Sequence, residues 1–152
     1  MDTLARSEYL RFGEEFRVTE NLISVIDDDE SVRRTTTLLI ESFGFRAAAF
    51  DSAEAFLNSG HLHDTSCLIL DMQMPVMNGL QLQSHLAAAG CAIPIIFITA
   101  YEGKDSRQRA MGAGAAAFLG KPFSDEQLLQ TIRLACGSYT GAVSKGKLRD
   151  QI

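Results

Sequence analysis

Four consecutive acids, Asp27-Asp28-Asp29-Glu30, follow the apolar run LISVI at residues 22–26. Another acid, Asp71, closes the run CLIL; Thr99 closes IPIIFI, and Lys121 follows AAFLG. Carboxylates brought together repel, and one of them must stay protonated unless a cation joins them. Hard oxygen donors suit Mg²⁺, which keeps several waters and takes one or two carboxylates. A hydroxyl and an ammonium nearby can hold the oxygens of a phosphoryl group. Acids, hydroxyl and ammonium together describe a Mg²⁺-dependent phosphoryl-transfer site in which a carboxylate is the nucleophile. Taken singly, most of these residues have plainer roles. Asp29 and Glu30 read as helix-start residues, Thr99 as a β former and Lys121 as a solvated loop residue. Asp71 resists such a reading, because an acid that ends a buried strand is unusual.

These residues share one site only if the elements before them end on one edge. Short apolar runs alternate with helical patterns along the chain. LISVI (22–26) is the first strand, and 30–44 a helix with Val32, Thr36, Leu39, Ile40 and Phe43 at helical spacing. RAAAF (46–50) is a second strand, followed after a cap at Asp51 or Ser52 by a short helix over 53–60. Strands at 67–71, 93–100 and 116–120 alternate with helices at 78–90, 104–114 and 124–137, the last capped by Ser124. Near-continuous apolar strands separated by helices imply a parallel sheet covered on both faces. The fold class is therefore α/β, a doubly wound five-stranded parallel sheet in a single domain. Ligands of such sheets bind beyond the carboxyl ends of the strands, where the residues above fall.

Composition narrows the function. The 152 residues are 46% hydrophobic and 22% charged, as in an ordinary globular domain, and the net charge of −5 disfavours a broad nucleic-acid surface. The three cysteines, Cys67, Cys91 and Cys136, show no CxxC spacing and read as reduced thiols rather than a disulfide framework. No signal peptide or bilayer-length apolar run is present in the sequence, so a cytoplasmic protein is expected.

The motifs also carry a resemblance. VIDDDESVR, LILDMQMPVMNGLQL, IIFITAY and AAFLGKPF resemble the acidic-pair, phosphoacceptor, threonine and lysine motifs of the receiver domains of bacterial two-component response regulators. The likeness covers residues 21–137 and is closest to the FixJ-type subgroup. It implies a CheY-like fold and a phosphoprotein that catalyses at most its own phosphorylation and dephosphorylation. Asp71 would accept the phosphoryl group from a histidine kinase or histidine phosphotransfer protein. Asp28 would bind Mg²⁺ directly, Asp27 through water, Asp71 as the third acid and Gln73 by its carbonyl. Thr99 and Lys121 would contact the phosphoryl oxygens. Phe118 takes the switch position, expected to rotate inward on phosphorylation, and the Lys121–Pro122 peptide is expected to be cis. The output would be protein–protein interaction, including a homodimer through the fourth helix, fifth strand and fifth helix.

FixJ-type proteins continue into a DNA-binding domain, whereas residues 138–152 here read as a flexible tail, so no direct DNA binding is expected. Residues 1–20 form an N-terminal extension, read as either a short helix or a disordered arm. Two other functions fit part of the pattern. A haloacid-dehalogenase-type phosphatase would use Asp27 and Asp29 as a D-x-D pair but leaves Asp71 unexplained. A phosphate-independent pseudo-receiver would usually lack one of the key residues, and this sequence lacks none.

Overall fold

The computed structural model describes residues 21–100 and 103–144. Five strands, β1 (Leu22–Ile26), β2 (Arg46–Phe50), β3 (Thr65–Asp71), β4 (Ile95–Thr99) and β5 (Ala117–Gly120), form one sheet in the order β2-β1-β3-β4-β5. Every pairing is parallel. Five helices alternate with them: α1 (Glu30–Ser42), α2 (Ala53–Leu57), α3 (Gly79–Ala88), α4 (Lys104–Gly112) and α5 (Asp125–Ser144).

Side chains alternate between the faces of a strand, and this sorts the core in two. Ile26, Leu68, Leu70 and Phe97 pack with Phe56 of α2, Leu82 and Leu86 of α3 and Ala110 of α4. Ile23, Val25, Ile69, Ile96 and Ile98 pack with Ile40 of α1 and with Leu128 and Ile132 of α5. The central strands β1 and β4 are buried at every residue because both faces are covered. β2, at one edge, is only partly buried, which is why alanines suffice there.

Capping chemistry sets most helix starts. Asp29 accepts from the Ser31 and Val32 amides, Ser52 from Ala55, and Asn78 exchanges reciprocal bonds with Gln81. Ser124 and Gln127 form the same reciprocal pair, at 3.0 and 2.8 Å. Some boundaries differ from the sequence expectation. β3 starts at Thr65 rather than Cys67, because the Thr65 hydroxyl is bonded to Ser24 at 2.7 Å inside the sheet. β4 starts after Pro94, at Ile95. α2 ends at Leu57 with Asn58 as its cap, before Gly60.

The largest difference is at the end of the domain. α5 does not stop at Gly137 but continues to Ser144, so residues 138–144 are helix rather than flexible tail. A glycine lowers helix propensity by about 1 kcal/mol, which a helix anchored upstream by Leu128, Ile132, Ala135 and Cys136 absorbs. The expectations for residues 1–20 and 145–152 lie outside the described residues.

All three cysteines are free thiols. Cys67 of β3 and Cys136 of α5 are buried in the same core layer, and Cys136 together with burial pushes the Cys67 thiol well up. Cys91, after α3, is half-buried. A disulfide-exchange reagent should therefore titrate one fast thiol, Cys91, in the native protein and all three after unfolding. A second fast thiol in the native state would contradict this packing.

Candidate functional site

The strand order turns back between β1 and β3, and the crevice at that point lies beyond their carboxyl ends. Asp27 stands at the tip of β1, with its amide still bonded to the Phe50 carbonyl of β2 at 3.1 Å. Its side chain is fully buried. One carboxylate oxygen accepts from the Asp29 amide at 2.9 Å and the other from Lys121 Nζ at 3.1 Å. The Arg33 guanidinium, in the first turn of α1, donates to the Asp27 carbonyl at 2.8 Å and ties helix to tip. Sequence reading passed over Arg33, although its place one helical turn past the acids was a usable signal. Asp28 is exposed beside Asp27.

Asp71 ends β3, only 6% exposed. The ladder runs one residue further, from the Met72 amide to the Ile98 carbonyl, and so fixes the direction of the Asp71 side chain. Its Oδ1 accepts from the Gln73 amide at 3.2 Å. Lys121 Nζ lies 3.9 Å from the same oxygen. Thr99 is buried at the tip of β4, and its carbonyl accepts from the Lys121 amide at 2.7 Å. The Lys121–Pro122 peptide is cis, as expected.

Carboxylate oxygens of Asp27, Asp28 and Asp71 all lie within 4.8 Å of one another. The Lys121 ammonium faces two of these acids, Asp27 and Asp71, at 3.1 and 3.9 Å. Burial, reinforced by the neighbouring Asp27 charge, pushes the Asp71 carboxyl up to about 7; Lys121 and the Gln73 amide pull the other way without cancelling it. The cluster thus has an excess of negative charge, oxygen-only donors and an open side at Asp28. That donor set fits a hard divalent cation.

Asp29 is a helix-start residue, as expected: its carboxylate is turned to the Ser31 and Val32 amides as the α1 cap, which leaves no D-x-D pair with Asp27 for the phosphatase alternative. One expectation needs correction. Phe118 does not start from an outer position. It is 6% exposed, lies 6.4 Å from the Phe97 ring, and is covered by the Arg107 guanidinium at 5.4 Å. The ring lies in the same core layer as Ala110 of α4.

Residues 23–133 match the family model described as the response regulator receiver domain. The chain belongs to that family. Among curated relatives, the receiver domain is 43% identical over 114 residues to nodulation protein W of Bradyrhizobium diazoefficiens, covering 75% of this chain and 50% of that protein. Among solved structures, it matches response regulator StyR at a TM-score of 0.78 and 39% identity, covering 87% of this chain and 67% of that one. FixJ-N matches at 0.71 and 32%, covering 78% and 95%. The chain spans about half the length of the curated relatives it matches. Receiver domains of two-component systems are phosphorylated on aspartate, and this one presents its acids at the sheet edge where that chemistry belongs. Among the described residues no helix is long and apolar enough to cross a membrane.

Proposed function

We propose that Asp71 accepts a phosphoryl group from a histidine kinase or histidine phosphotransfer protein and that the acyl phosphate changes which partner the domain binds. The observation that carries this is the Asp71 carboxylate, held at the tip of β3 between two acids and one ammonium. A carboxylate oxygen of Asp71 attacks phosphorus, the P–N bond to the donor imidazole breaks with its electron pair, and the imidazole takes up a proton. Lys121 moves from its bond with Asp27 toward the phosphoryl oxygens, a short path given its 3.1 and 3.9 Å distances to the two acids. The Thr99 hydroxyl, at the adjacent strand tip, takes another oxygen. Mg²⁺, held by Asp27, Asp28, Asp71 and the Gln73 carbonyl, would supply the charge that keeps Asp71 ionised and screens the phosphoryl oxygens.

The added charge, about −1.5 to −2 by analogy with other phosphorylated side chains, draws Thr99 and the start of α4 toward the site. Phe118 is already inside, so its part is to hold the shifted arrangement rather than to create it. The α4–β5–α5 face then presents another contour to a partner or to a second copy of the chain, as a shift between two populations.

Intact-mass analysis after incubation with acetyl phosphate and Mg²⁺ tests the assignment. A single phosphoryl adduct should form, stable in acid and labile in base, and it should be absent from Asp71→Asn. An adduct of undiminished yield on Asp71→Asn would remove Asp71 as acceptor.

A further inference from the structure

α4 is weakly attached. Its sequence, KDSRQRAMG, buries one residue, Ala110, and its N-cap, Gly103, makes no side-chain capping bond. The Asp105–Arg109 ion pair is internal to the helix and exposed, at 3.9 Å. Toward α3 the seam opens into a groove of about 520 Å³, with Met74 and Leu80 on one wall and Ser106 and Arg109 on the other. Among the described residues, one buried side-chain hydrogen bond crosses this seam: Gln83 of α3, only 5% exposed, donates from Nε2 to the Ala110 carbonyl at 3.1 Å.

A glutamine is rarely this buried unless it is paired, because desolvating an amide without a partner is costly. A carbonyl partner requires the NH₂ end of the amide to face it, so the orientation follows from the partner. The same Ala110 oxygen accepts the Ala115 amide at 3.0 Å, where α4 turns through Gly114 into β5. The bond therefore grips α4 at the end next to the switch strand.

We propose that Gln83 is a latch: a positioning residue that holds α4 in the resting arrangement, against which phosphorylation must work. This rests on α4 being part of the switching face. Gln83→Met tests it, because methionine keeps the length and removes the donor while Ala110 keeps its Ala115 bond. In the full unphosphorylated chain, amide exchange over 107–115 should rise about threefold to tenfold, the factor that one hydrogen bond sets, with β1 and β3 unchanged. By linkage, half-saturation by beryllofluoride with Mg²⁺ should occur at about threefold to tenfold lower concentration. A residue with only a structural role would not lower that concentration. Unchanged exchange in α4, an equal rise in β1 and β3, or an unaltered or higher half-saturation point would each overturn the latch. Failure of the wild type to take up beryllofluoride would instead sink the reading of Asp71, and exchange in the unphosphorylated protein would still decide Gln83.

Discussion

With divalent cations chelated at about pH 8, the Asp71→Asn protein is expected to be more stable than wild type by about 2–4 kcal/mol. Removing an acid from the centre of a site would ordinarily be expected to weaken it. Here the acid is ionised at a cost, because burial and Asp27 raise its carboxyl from 3.8 to about 7. A folded-state value above the unfolded one means that the folded chain holds the extra proton through the window between them. Stability of wild type therefore falls as pH rises from about 4 to about 7 and stays lowered above it. Below about pH 4 the group is neutral in both states and the two proteins converge. Asparagine keeps an oxygen for the Gln73 amide and carries no charge, so the variant lacks this slope.

Urea denaturation of both proteins across that range measures the difference directly, since all other titrating groups are shared. Mg²⁺ should close the gap at high pH by binding the folded wild type more tightly than the variant. A gap that is constant from acid to alkaline pH would show that the acids do not repel as their spacing implies.

The same acids show how far sequence carries. Their positions after strands located the site, because a parallel sheet has only one carboxyl edge and β1, β3 and β4 are apolar enough to be recognised. The helix-start reading of Asp29 was legible and holds, but the full burial of Asp27 against Lys121 was not, because Lys121 comes from a strand tip 94 positions away. Thr65 was missed as strand because its hydroxyl is satisfied by Ser24, on a strand 41 positions away in sequence. Gly137 reads locally as a helix stop, yet the buried stripe before it carries α5 through. Gln83 lies in the polar-looking stretch LQLQ, and only the position of α4 makes it a buried donor. The cover on Phe118 likewise comes from α4, through Arg107.

Gly79→Ala is expected to destabilise the domain by about 3 kcal/mol, the upper end of what overpacking usually costs. The glycine closes the motif DMQMPVMNG, and its role is steric. The loop that leaves Asp71 must return to start α3 directly over the strand it left, and the Gly79 amide bonds the Met72 carbonyl at 3.0 Å. A β-carbon there would sit 2.8 Å from the Asp71 carbonyl oxygen, 2.9 Å from a Phe97 ring carbon and 3.0 Å from the Met72 α-carbon. Two of these three neighbours are backbone of the site itself, so the strain cannot be relieved by turning a side chain. Either α3 lifts away from β3 or the Asp71 backbone shifts, and phosphoryl uptake should fall together with stability. Gly137→Ala is the matched control. It lies within α5 with nothing inside 4 Å of its added carbon, and alanine there should stabilise by about 1 kcal/mol. Chemical denaturation of the two variants beside wild type should move in opposite directions. If Gly79→Ala were as stable as wild type, α3 would not be seated on the Asp71 backbone, and that contact would not be what positions the acceptor.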